Sequence, residues 1–280
     1  MYRKFCLILV PVLFSLLVGC KSDFHYANSF IRKFERGKET ATEKIYVTLP
    51  KTVIHTNSSL DNLAGFLLMD ESEQDSVIAS KTQILDKIDD SIFLEQFNDV
   101  FLFTLSRLRV PVVLVEDVSL LPKSDDQHFV VNIVQFEAEE YMEPCVSQFH
   151  TRKGMEYRYD YFLRHFATNV WLRFDGGDSA EVFFLGDEVA EQFHGTVTSM
   201  KDNKANLMTR FEHINTNDAY LMARRMGYQC ATLFIEKILT EYVCRTKGST
   251  NSYFYFDASS GSIDQVVPYE EGAKYTFEKL

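Results

Sequence analysis

The chain of 280 residues has few of the features that mark enzymes and nucleic-acid-binding proteins. It holds five cysteines and seven histidines. None of them stands at the Cys-x-x-Cys or His-x-x-x-His spacing that lets one turn or helix grip zinc. Histidines 25, 55, 128, 150, 165, 194 and 213 are therefore expected to be structural or superficial, with no metal and no cofactor. There is no Gly-x-Ser-x-Gly elbow, phosphate loop or dinucleotide fingerprint, and Gly176-Gly177 is a turn. Basic residues are outnumbered 29 to 40. An acidic surface repels phosphate backbones, which argues against nucleic acid as a partner. Tryptophan occurs once, at Trp171, whereas Phe (24) and Tyr (14) are abundant, an excess that suits strand-rich packing.

A spanning hydrophobic run is also lacking. Arg3 and Lys4 precede an apolar stretch over Phe5–Val18, shorter than the ~20 residues needed to cross ~30 Å of hydrocarbon. Basic, apolar and small-residue zones in that order make a secretory signal. The closing Leu17-Val18-Gly19-Cys20 resembles a bacterial lipobox. An ordinary cleavage site or an uncleaved anchor has no need of that thiol. The resemblance implies a signal peptide at 1–19, acyl chains (palmitate among them) on Cys20, and attachment to the outer membrane of a cell envelope, on the periplasmic face. The chain from residue 20 carries 27 basic and 40 acidic side chains, a formal charge of −13, so lipid rather than charge would do the docking. Residues 20–43 then form the lipidated cysteine and a polar tether, whose residues 21–43 reach ~75 Å at most, with a short helix possible at Ser29–Phe34. Residues 44–280 are expected to be a single globular domain.

Within that domain Lys44–Leu49 alternates as a strand ended by Pro50, which Lys51–Thr56 continues. Phe93, Phe97, Val100, Phe101, Leu105 and Leu108 recur at three- and four-residue steps. That spacing predicts a helix over 91–108, capped by Asp90 or Ser91 and stopped by Pro111. Val112–Val115 is a strand, and so is Phe129–Phe136, ended by Glu137-Ala138-Glu139-Glu140. Ala167–Phe174 alternates, turns at Asp175–Asp178 and returns as Ala180–Leu185, an antiparallel meander. A second helix is predicted over 216–244, capped by Thr216 or Asn217. Its Ala219, Ala223, Gly227 and Ala231 make a ridge of small side chains for close approach, and Gly248 ends it. A hairpin at 252–267 and a last strand at Lys274–Glu278 complete an α+β fold, a mostly antiparallel sheet packed by two long amphipathic helices. Cys230 and Cys244 on one helix lie ~21 Å apart and cannot bridge. Cys145 is able to reach one of them, though buried thiols are the simpler reading.

The order strand, helix, strand, meander, long helix is similar to that of transport-auxiliary and lipopolysaccharide-assembly lipoproteins. The similarity carries over no catalytic or binding residue. It implies a non-enzymatic envelope accessory or scaffold with an envelope protein partner and the bilayer itself as a second. The alternative is a glycan- or lipid-binding module using Tyr141, Tyr157, Tyr159, Tyr161 and Trp171 as a stacking platform, with Arg158 and Arg164 in a basic patch alongside Arg152 and Lys153. A third reading is a hydrolase built on carboxylates near strand ends, Glu137, Glu139 and Glu140 with Asp187, Glu188 and Glu191. No residue is singled out as catalytic on the sequence alone.

Overall fold

The computed structural model describes residues 23–34, 43–58, 82–120, 128–150, 156–176, 179–199, 205–248 and 252–268. Helix α1 covers residues 23–34. It is followed by β1 (Lys44–Thr48), β2 (Ile54–Asn57), α2 (Asp90–Ser106), β3 (Val112–Leu114), β4 (His128–His150), β5 (Glu156–Gly176), β6 (Ser179–Ala190), β7 (Gln192–Ser199), β8 (Ala205–Glu212), α3 (Thr216–Lys247), β9 (Ser252–Asp257) and β10 (Ser262–Pro268).

The main sheet has the order β3-β1-β4-β5-β6, with β2 also paired to β4. Strands β4, β5 and β6 are the expected antiparallel meander. The sheet is nevertheless mixed rather than mostly antiparallel, because β1 runs parallel to both β3 and β4 and β2 runs parallel to β4. The reason lies in the connections. Helix α2 stands between β1 and β3 and returns the chain to the end where β1 began, which makes such neighbours parallel.

Helices α2 and α3 cover one face of the sheet. Phe93, Phe97, Phe101 and Leu105 of α2 are fully buried, the first two against Phe136 at 5.4 and 4.6 Å between ring centroids. Each such ring contributes about 1.5–3 kcal/mol through burial. The small ridge of α3 lets the helices touch: a Cβ on Gly227 would lie 2.5 Å from the Phe97 carbonyl oxygen. Both helices are capped one or two residues before the expected positions. Asp89 caps α2 by accepting from the Ser91 and Ile92 amides, and Asn215 caps α3 in a reciprocal box with Asp218. Gly248, at φ +93°, terminates α3 as anticipated.

Among the described residues there are three α-helices rather than two. Within the stretch read as a tether, residues 23–34 form α1, with Ala27, Phe30 and Ile31 buried in the same core as the sheet. The Phe30 ring lies 4.5 Å from that of Tyr242 on α3, and Lys247 pairs with Asp23 at 2.5 Å. Its second half coincides with the short helix expected at Ser29–Phe34, while the polar Asp23, His25 and Asn28 obscured the first.

The longest departure concerns β4 and β5, at 23 and 21 residues. Glu137-Ala138-Glu139-Glu140 does not end a strand. Alternation turns Glu137 and Glu139 toward the open face and buries Ala138 and Glu140. Beyond the meander the two strands continue as a ribbon, covered by the β7–β8 hairpin, which was not anticipated at all. The three cysteines in the described residues are free thiols. Cys230 is wholly buried on α3, where desolvation pushes its thiol well above the ordinary range, and Cys145 lies on the ribbon. The expected strand at Lys274–Glu278, together with Leu63–Met69 and the acidic run Asp70–Asp75, lies outside the described residues.

Candidate functional site

The face of the sheet opposite the helices carries a cleft whose geometry follows from strand register. Residues paired across neighbouring strands point to the same side. Glu139 on β4 pairs with Ala167 on β5, which pairs with Glu188 on β6. Two strand spacings separate the Cα atoms of the two glutamates by about 10 Å, over a methyl floor. In the adjacent row Glu137, Asn169 and Gly186 are aligned, and in the next Gln135, Trp171 and Phe184. The cleft encloses about 560 Å³ between Glu139, Tyr141, Asn169, Phe184 and Glu188, within the range of small-ligand sites.

Each carboxylate is held in place. Glu139 accepts from the Ser58 hydroxyl and from Asn169 Nδ2 at 3.1 Å, and Glu137 accepts from Thr56. Glu188 accepts from the Tyr141 hydroxyl. Burial, and next the Glu188 carboxylate beside it, push the Tyr141 phenol well above its usual range, so it stays protonated and donating. Its ring stacks on His165 at 4.7 Å. That imidazole is buried between Glu143 at 3.2 Å and Glu188 at 3.6 Å. Asp187, at the rim, is fixed from α3 by Arg225 at 2.8 Å and Gln229 at 3.1 Å. Phe184 makes one wall, tilted against Trp171 at 4.9 Å. Gly186 keeps the floor low: a Cβ there would lie 3.0 Å from Asn169 Oδ1 and 3.2 Å from the Phe184 ring. The arrangement offers several fixed acceptors, one amide and one aromatic edge.

The residues singled out on the sequence do not all converge here. Trp171 flanks the cleft, and the two acidic clusters do meet in it through Glu139 and Glu188. Tyr157, Tyr159 and Tyr161 stand elsewhere, since Tyr161 and Trp171 are ten residues apart on one strand, ~33 Å. These tyrosines are half-buried under the β7–β8 hairpin, where the Phe193 ring stacks on Tyr159 at 5.5 Å and on Tyr161 at 4.0 Å. A joint platform of Trp171 and the three tyrosines is thus not formed.

Arg158 and Arg164 do not share one basic surface either. Arg158 is exposed and bonded to Asp160 at 2.9 Å. Arg164 is buried, paired with the fully buried Glu140 and 4.0 Å from Glu191. Glu140 also accepts from the Gln83, Ile84 and Leu85 amides, so it is a structural anchor. Arg152, Lys153 and Cys20 lie outside the described residues. Sequence reasoning named Tyr141 only as a platform aromatic, and missed Asn169, Phe184 and Gly186 as partners. Their common signal is register, which no local pattern encodes.

No family model and no curated protein sequence matches the chain. A solved structure from Helicobacter pylori, described as a neuraminyllactose-binding hemagglutinin homolog, is similar over 74% of this chain and 91% of that one. Its identity is 10% and its TM-score 0.33, a likeness too slight to bear on either the fold or the activity of this chain.

Proposed function

We propose that the protein is a lipid-anchored envelope protein whose folded part is a non-enzymatic binding module, an accessory to envelope assembly or transport. In this reading the cleft between Glu139 and Glu188 receives a polyhydroxylated, glycan-like ligand. The observation that carries it is the row Glu139–Ala167–Glu188: two oriented carboxylates accept hydroxyl donors, Asn169 supplies an amide, and Phe184 and Trp171 supply apolar edges for a sugar ring. The anchor rests on Leu17-Val18-Gly19-Cys20, and two or more acyl chains give stable attachment.

Glycan-array screening followed by calorimetry on the best binder tests the cleft. Glu139→Gln and Asn169→Ala are each expected to weaken binding about tenfold or more. Equal affinity in the variants removes the cleft from the reading, and hydrolysis of the bound glycan removes the word non-enzymatic. Mass spectrometry of the mature N-terminus tests the anchor, which falls if Cys20 carries no acyl group.

A further inference from the structure

A second cavity lies where the sheet is interrupted. The parallel pairing of β1 with β4 ends at Thr48–Asn132, and the pairing of β2 with β4 resumes only at Ile54–Glu137. Pro50 has no amide to donate and takes the chain out of the ladder on one side. On the other, β4 carries an irregularity between Ile133 and Gln135 that leaves Val134 exposed. The two interruptions face each other and leave a cavity of about 430 Å³. It sits at the carboxyl ends of the parallel strands β1 and β3, where β1 has β3 on one side and β4 on the other. In open sheets that divergence is where ligands bind.

The lining is chemically divided. Lys51 stands on the β1–β2 connection, and Glu116 and Asp117 follow β3. The Ser119 amide bonds the Asp117 carboxylate at 2.7 Å and, ahead of a smaller pull from Lys51, holds that carboxyl below its ordinary range. Lys51 and Asp117 form no ion pair within 4.0 Å among the described residues, so each retains capacity for a ligand charge. At the base lie Thr48 and Asn132, paired across the strands and each more than nine-tenths buried. The buried Thr48 Oγ1 has no hydrogen-bond partner among the described residues, which native structures rarely tolerate without a role for the group. Leu49, Ile54 and Phe136 supply the apolar remainder.

We propose that this interruption is a second binding site, separate from the Glu139 cleft, for a small zwitterion of the amino-acid or dipeptide class. Lys51 takes the ligand carboxylate, Asp117 and Glu116 take its ammonium, and Thr48 and Asn132 bond the polar groups between them. Both charges on one ligand satisfy both walls, whereas a singly charged molecule leaves one wall unmatched.

The test is calorimetry on the full chain in detergent with glycine, leucine and glycyl-leucine, each beside its N-acetylated and its amidated analogue. Saturable binding of at least one zwitterion is expected, with affinity falling about tenfold or more when either charge is blocked. Lys51→Gln is expected to remove the preference for a free carboxylate, and Asp117→Asn the preference for a free ammonium. Thr48→Val is expected to weaken binding while leaving the melting temperature unchanged or raised, the reverse of what a purely structural hydroxyl would give. Absence of saturation by about 10 mM for all three zwitterions, or equal affinity for the blocked analogues, overturns the proposal. Glu139→Gln serves as the control: it is expected to leave zwitterion binding intact, so that failure of the glycan reading and failure of this one are told apart.

Discussion

The inner and outer halves of the β4–β5 pair are built from the same two strands and held by different means. Inside the meander, β5 presents Phe166, Val170, Leu172 and Phe174 to two helices, all buried at 1% exposure or less. Beyond Glu140 and Arg164, the ribbon leans on a second hairpin among the described residues. Phe149, Tyr159 and Tyr161 meet Phe193 and Phe211 in a thin layer of rings, and the opposite side leaves Val146 and Phe162 exposed, the latter at 58%. Both halves use aromatic rings, but the helices bury theirs fully, whereas a hairpin laid on a ribbon covers one side and leaves Tyr159, Tyr161 and Phe193 half-buried. Two-stranded ribbons alone are marginal, and the outer half is expected to open at lower free energy than the inner.

The strongest way to break this contrast is in the inner half. Phe97→Ala, at the helix crossing, is expected to cost about 3–5 kcal/mol in urea unfolding and to lower both halves together. At the boundary, Arg164→Ala strands the buried Glu140 carboxylate and is expected to cost about 3 kcal/mol; pairing it with Glu140→Gln should cost less than Arg164→Ala alone. In the outer half, Gly195→Val places a side chain where a Cβ already lies 2.4 Å from the Phe149 ring. A loss of about 1–3 kcal/mol is expected there. Hydrogen exchange and limited proteolysis should register it in the ribbon while α2 and α3 keep their protection. If Gly195→Val lowers the helices equally, the two halves are one cooperative unit.

The smallest effect belongs to the cleft. Tyr141→Phe removes a hydroxyl that donates to Glu188 and is expected to cost at most about 1 kcal/mol. Its sign with pH is fixed: a phenol raised above its unfolded value of 10.0 contributes fully below that pH and loses its contribution as pH climbs above it. The gap between wild type and Tyr141→Phe should therefore be constant near neutrality and shrink above pH 10, as read by thermal melts across pH.

Legibility in the sequence followed the length over which a pattern repeats. The four-residue steps of Phe93, Phe97 and Phe101, and of Ala219, Ala223, Gly227 and Ala231, announced both long helices and even their close crossing. The Asp175–Asp178 turn announced the β5–β6 hairpin. Only the Ser29–Phe34 half of helix α1 was legible, and β7–β8 was hidden because Gly195 interrupts the apolar face between Phe193 and Val197. Glu140 and Arg164 were read as surface charges, because a buried ion pair and a solvated one are spelled with the same letters.

The amino-acid order by itself determined the two long helices and their stops, the β5–β6 turn, the net negative charge and the resemblance of residues 17–20 to a lipobox, since each depends on composition or on neighbours within a few positions. Tertiary structure alone decided that β1 would run parallel to β3 and β4 and that Glu139 and Glu188 would stand across Ala167. It also decided that the sheet would open opposite Pro50. Those outcomes depend on register between strands far apart in the chain, where side chains meet only after the backbone has closed around the core.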